Sequence, residues 1–156
     1  MAADYVIRAG VASDSETIVA HRRAMFSEMG YRDEEALDKM CAAFRPWLAA
    51  KMQTGEYVAW FAQGADGSIA AGLGLWLMDW PPHMIDPVPR RGNILNVYTE
   101  PHRRRLGLAR SLMETALAWC RDNGIRAVIL HASVDGRPLY ESLGFKSTNE
   151  MRLEIR

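Results

Sequence analysis

One short run has the residue types and spacing to bind an anion: Arg103-Arg104-Arg105-Leu106-Gly107-Leu108-Ala109. It lies between an apolar run and a segment of helical periodicity. The first amides of a helix have no partner within it and together present about half a positive charge, which suits a phosphate or pyrophosphate. Gly107 and Ala109 are small enough for a ligand to approach those amides, and the three arginines add mobile positive charge around them. The other reading of the same residues is a solvated basic turn before a helix. These positions alone do not separate the two readings, and neither GxxxxGK[ST] nor GxGxxG occurs here. His21, His83, His102 and His131 are scattered without ligand spacing, so no metal site is expected. Cys41 and Cys120 fall on expected helices among apolar neighbours and read as reduced, buried thiols.

The elements that must position this run are legible around it. Asn93 to Thr99, with Ile94, Leu95, Val97, Tyr98 and Thr99, favours a largely buried strand. From Leu106 onward Leu108, Leu112, Met113, Ala116, Leu117 and Cys120 recur at three- and four-residue spacing, the stripe of a helix, which Gly124 ends. Arg126 to Ala132 is a second buried strand. Strand, helix and strand together imply a right-handed crossover between parallel neighbours. A turn at Ser133 to Gly136, a short helix from Arg137 to Leu143, and a last strand over residues 146–155 with Met151, Leu153 and Ile155 on one face complete this half.

The earlier half reads as a strand over Asp4 to Ala9, a helix capped by Ser13 or Asp14 and stopped at Gly30, and a second helix from about Asp33 to Met52. The apolar face of the first helix is Ile18, Val19, Met25 and Met29. Pro46 is expected to kink or restart the second. Tyr57 to Gln63 and Ser68 to Trp80, joined by Gly64-Ala65-Asp66-Gly67, form a hairpin signal. Gly72 and Gly74 suggest a bulge or a close approach, with packing beneath a large neighbour such as Trp76 as the better reading. The proline-rich stretch from Trp80 to Pro89 is a stiff loop that either borders a binding site or simply connects.

The whole chain sets further bounds. Its 156 residues suit one domain, residues 1–156, with a core of its own. Lys plus Arg number 19 and Asp plus Glu also 19, so no global field draws it to nucleic acid or a membrane surface. The first ten residues lack a basic head followed by an apolar core, and no apolar run approaches a bilayer span; a cytoplasmic protein is expected.

Arg104-x-x-Gly107-x-Ala109 resembles the [QR]-x-x-G-x-[GA] acyl-CoA signature of the GNAT N-acetyltransferase superfamily, and its setting between a strand and a long helix is similar as well. A second block, Gly136-Arg137-Pro138-Leu139-Tyr140-Glu141-Ser142-Leu143-Gly144-Phe145, resembles the later motif in which a tyrosine-bearing helix runs into a Gly-Phe turn. The resemblance is good over the later part of the chain and holds only in outline before that. It implies the GNAT acyl-CoA N-acyltransferase fold: an α/β chain with a central mixed β-sheet whose parallel strands splay apart, flanked by helices.

The resemblance further implies an enzyme that moves the acetyl group of acetyl-CoA directly to an amine of a small molecule or peptide, without a metal. By carry-over, the backbone from Arg105 through Leu106, Gly107, Leu108 and Ala109 to Arg110, with Arg104, would hold the pyrophosphate. Val97, Tyr98 and Thr99 would pair with the extended pantetheine arm and polarise the thioester carbonyl. Tyr140 matches the tyrosine that protonates the leaving thiolate in many members. The family often has asparagine a few residues before that tyrosine, where this chain has Asp135, Gly136 and Arg137.

An alkyl amine must also lose a proton, at roughly 4 to 5 kcal/mol near pH 7. Glu100 after the strand and Asn96 within it, through a water, are candidates, as are Glu28, Asp79 and His83 in segments expected to border the cleft. The first two helices and their joining turn, with Glu28, Met29 and Tyr31, and the loop holding His83 resemble the acceptor wall. A homodimer is compatible with the family, and no residue specifies its interface. The competing readings are a different acyl donor or an oxygen acceptor, a non-catalytic acyl-CoA-binding module, and a nucleic-acid contact at Arg103 to Arg105. Against the last stand the neutral total charge and the absence of aromatic residues among the arginines.

Overall fold

The computed structural model describes residues 4–156. Five strands form one sheet in the order β1 (Tyr5–Ala9), β2 (Tyr57–Gly64), β3 (Ile69–Asp79), β4 (Arg90–Thr99), β5 (Val128–Leu130). The first three pairings are antiparallel and β4 pairs β5 in parallel. Helices α1 (Ser15–Glu28) and α2 (Glu34–Gln53) connect β1 to β2, α3 (Leu108–Asp122) connects β4 to β5, and α4 (Arg137–Ser142) follows. This is the mixed sheet with flanking helices that the sequence leads one to expect. Among the described residues no helix is long and apolar enough to cross a membrane, and no cluster of His, Cys, Asp or Glu could hold a metal ion.

The period of two along the central strands sorts their side chains into two cores. Trp60 and Ala62 of β2, Leu73, Leu75 and Leu77 of β3 and Ile94 of β4 meet the α3 stripe of Leu108, Leu112, Met113, Ala116 and Cys120. Tyr57, Ala59 and Phe61 of β2 point the other way, onto Ile18 and Val19 of α1 and Cys41, Phe44 and Leu48 of α2. Sheets covered on both faces carry near-continuous apolar strands, and β2 and β3 read that way. Both thiols are buried, and burial pushes that of Cys120 up to about 11.

The turn Gly64 to Gly67 closes the β2–β3 hairpin, with Ser68 bonded to the Asp66 carboxylate. On the α1–α2 face, a Cβ on Gly74 would stand 1.9 Å from Tyr57 Oη, and one on Gly72 2.9 Å from His21 Nδ1. The large neighbours that these glycines accommodate are therefore Tyr57 and His21 rather than Trp76.

Several expectations are corrected. α2 runs through Pro46 without a break. Ala42, whose carbonyl loses its donor, and Pro46 itself are both exposed, so water serves that group. Asp14 occupies the N-cap of α1 without bonding its amides; its carboxylate accepts from Arg8 and from the Val11 amide instead. Met29, assigned to the apolar face of α1, is 55% exposed just beyond its end. The helix expected from Leu106 begins at Leu108. Residues 146–155 form no strand: Met151, Leu153 and Ile155 stay exposed, because an apolar alternation asks for a cover and these residues join no ladder.

Candidate functional site

The sheet opens where β4 and β5 part. They pair only at Gly92 with Val128, Asn93 with Ile129 and Ile94 with Leu130, after which β5 ends. β4 continues through Leu95 to Thr99 against β3 alone, so the backbone of Val97, Tyr98 and Thr99 presents a free edge on the β5 side. Beyond this edge lies the start of α3. Its N-cap, Gly107, is left-handed at φ 75 and no side chain caps it. Arg105, at φ 65, is left-handed too. Alternating hands around Leu106 turn successive amides to one side, and the first-turn amides of Leu108, Ala109 and Arg110 have no helical partner. Leu108, 2% exposed, anchors that first turn in the core.

The arginines are less mobile than expected. Arg104 donates to the Thr99 carbonyl at 3.0 Å and to both Glu28 oxygens at 2.8 Å, and lies over the Tyr98 ring. It therefore ties the end of α1 to the end of β4. Arg103 bonds Tyr5 and Ser68. Arg110 reaches Ser142 at 2.7 Å, linking the start of α3 to α4.

Between Ile94 and Tyr98, β4 bulges. Gly74 pairs with Leu95 but Gly72 with Tyr98, so one residue of β3 faces two of β4. The extra residue is Asn96, left-handed at φ 57. It lies on the α1–α2 face and is 3% exposed. Its Nδ2 donates to Tyr57 Oη at 2.9 Å and its Oδ1 accepts from Arg22 Nη1 at 2.8 Å. Burial pushes the Tyr57 phenol up to about 12, so it stays neutral.

Glu100 follows β4, with its side chain about one-third exposed and an oxygen 3.8 Å from His21 Nε2. His21 is 4% exposed, and burial drives its pKa down to about 4. The imidazole is thus neutral near pH 7 and leaves the Glu100 carboxylate without an ionic partner there. Tyr140 sits on α4, packed edge-on to Phe145 and against the α3-side core that also contacts Val97. Its pKa is raised, and burial is the only cause.

Of the acceptor-wall residues, Glu28 is held by Arg104, while Tyr31 is 57% exposed and packs edge-on to Phe26. Met29 lies between them at the end of α1. His83 belongs to an exposed turn in which its Nδ1 accepts from the Ile85 amide. Arg22, Tyr57 and His21 complete the polar chain and escaped the sequence reading. The available signal was helical phase: Arg22 falls four residues after Ile18 and four before Phe26, a charge on the apolar stripe.

The model of the Acetyltransferase (GNAT) family matches residues 17–145. The crystal structure of a GCN5-related N-acetyltransferase from Ralstonia eutropha JMP134 shares 38% identity and a TM-score of 0.91, covering 97% of this chain and 98% of that one. A predicted acetyltransferase from Clostridium acetobutylicum, solved with acetyl-CoA, gives 27% and 0.86 over 97% and 96%. Human N-acetyltransferase 8 is 34% identical over 70 residues, 42% of this chain, so the match spans only 31% of that relative.

Proposed function

The chain belongs to the acetyltransferase (GNAT) family, and on that premise we propose that residues 1–156 form one catalytic domain, working in the cytoplasm, that transfers the acetyl group of acetyl-CoA directly to an amine. The observation that carries this reading is the parting of β4 from β5 after Ile94 and Leu130, opposite the uncapped first turn of α3.

In this reading the amides of residues 105–110 hold the pyrophosphate. The free edge at Val97 to Thr99 pairs with the pantetheine amides. A β4 amide N–H beside the bulge donates a hydrogen bond to the thioester oxygen as negative charge develops there. The acceptor nitrogen attacks the acyl carbon, a C–N bond forms and the C–S bond breaks. The thiolate takes its proton from Tyr140. Burial keeps that phenol fully protonated at neutral pH, the state a donor requires. Between ordinary values, near 10 for a phenol and about 8.5 for a thiol, the transfer is uphill by about 2 kcal/mol. Burial raises the phenol, which widens this difference, and a thiol in the same low-dielectric gap is raised too, which offsets the change. The proton lost by the amine goes to Glu100, directly or through a water, and Asn96 positions the strand bulge rather than the proton. Glu28, Met29, Tyr31 and His83 border the acceptor.

Calorimetric titration with acetyl-CoA and with CoA tests the donor. Micromolar binding, followed by thiol release in the presence of an amine panel, is the expected result. Binding without thiol release would favour the non-catalytic module; no binding to either ligand would overturn the reading.

A further inference from the structure

α1 carries one cation on its buried side. The Arg22 guanidinium lies between the rings of Phe26, 5.0 Å away, and Phe44, 4.8 Å away. Its neighbours have found acids: Arg23 pairs Glu34 and Asp38, Arg45 pairs Glu16, and Arg104 pairs Glu28. Among the described residues Arg22 has no carboxylate partner, and its one hydrogen bond runs from Nη1 to Asn96. Nε is buried and makes no hydrogen bond. In the same aromatic cluster the indole N–H of Trp76, edge-on to Trp47 at 5.3 Å, is also buried and without an acceptor. An unpaired buried guanidinium is costly, and its pKa is lowered by that burial. Two orphaned donors in one cluster lack the same thing, an oxygen acceptor, and one of them is charged.

Arg22 grips Asn96, the bulged residue of β4, at the point where β4 has just left β5. Resting on the function proposed above, we propose that the acceptor is a small amine that also bears a carboxylate, an amino acid or a close analogue, and that this carboxylate, on entering, displaces the packing over Nε and is received by the Nε and Nη2 edge of Arg22. A guanidinium edge matches a planar carboxylate with two parallel hydrogen bonds. A single guanidinium suits one negative charge better than the two of a phosphate. The flanking rings of Phe26 and Phe44 hold the fork in plane.

The test pairs each proteinogenic L-amino acid with the primary amine left by its decarboxylation, scored by thiol release from acetyl-CoA. At least one amino acid should surpass its amine by about 10²-fold in kcat/KM. Arg22→Met should remove most of that advantage, mainly through KM, while the Kd for acetyl-CoA stays as it was and turnover of the bare amine falls by much less than that of the amino acid. Arg22→Lys, which keeps the charge without the fork, should recover part of it. Preference for the bare amines, equal loss on both classes, equal acceptance of amino-phosphates, or no turnover of either panel with acetyl-CoA binding intact would overturn the assignment. Should Arg22→Met not fold, and independently of acetyl-CoA, the indole proton of Trp76, identified with Trp76→Phe, should shift in nitrogen-15 spectra when the preferred N-acetyl amino acid is added. No shift with any N-acetyl amino acid would overturn it as well.

Discussion

The two faces of the sheet solve different problems with different materials. On the α3 face the core is apolar and the site beside it is made of backbone: an unpaired strand edge, a left-handed glycine and the first amides of a helix. On the α1–α2 face the core borders Arg22, Asn96 and Tyr57, joined by side-chain hydrogen bonds, and the buried His21. In the function proposed above, backbone groups recognise what every acyl-CoA shares, its phosphates and its amide arm, and side chains recognise what differs from one acceptor to the next. A common ligand can therefore be held by a local piece of chain, whereas a particular one needs residues gathered from several elements.

The sharpest way to break this comparison uses the two ends of α3. Gly107 and Gly124 are both left-handed, at φ 75 and φ 72, and nothing lies within 4 Å of a Cβ at Gly124. Valine at either position should cost a similar 1 to 3 kcal/mol of stability in thermal melts. Only Gly107→Val should also weaken acetyl-CoA binding, by about 10³-fold or more in calorimetry. Equal effects on binding would remove the cradle from the α3 face.

His21 sharpens the contrast through pH. Its folded pKa, about 4, lies below the ordinary 6.5, so the unfolded chain binds the proton first. The stability that neutral His21 contributes is present above pH 6.5 and is lost as pH falls toward 4, by up to about 3 kcal/mol. Denaturant titrations of the protein and of His21→Gln should diverge in slope across that window; parallel curves would show that this face titrates like the other.

Tyr140→Phe should lower kcat by about 10²-fold while leaving acetyl-CoA affinity intact. An unchanged kcat would return the ring to a packing role beside Phe145. The smallest effect belongs to Gly74→Ala, whose Cβ would displace Tyr57 Oη. A loss of about 2 kcal/mol in stability is expected, with acceptor KM raised and acetyl-CoA binding unchanged. A change in acetyl-CoA binding instead would show that the two faces are coupled.

The same division explains what could be read from the sequence. Gly107 with the stripe from Leu108 to Cys120, the Gly64 to Gly67 turn and the parallel pairing of β4 with β5 all follow from short stretches whose period and turn residues are explicit. The link from Arg22 to Asn96 spans 74 positions and the one from Tyr57 to Asn96 spans 39, and no local pattern announces either. The bulge at Asn96 is hidden inside a run of strand-forming residues, since it leaves the composition around it unchanged. The alternation of Met151, Leu153 and Ile155 states a demand for cover without stating where that cover is, which is why a strand was expected there and is not found.

Asn96 also ties durability to discrimination. A non-glycine residue in the left-handed region carries a conformational cost on the order of 1 kcal/mol, less for asparagine than for most. Glycine at this position would hold the same bulge more comfortably and would sever both hydrogen bonds that join β4 to Tyr57 and Arg22. The buried Tyr57 hydroxyl and Arg22 guanidinium would then each lose that partner, at about 1 to 3 kcal/mol apiece, more than the strain relieved. Durability and discrimination therefore favour the same residue at position 96, and a lineage bred only for robustness would keep both.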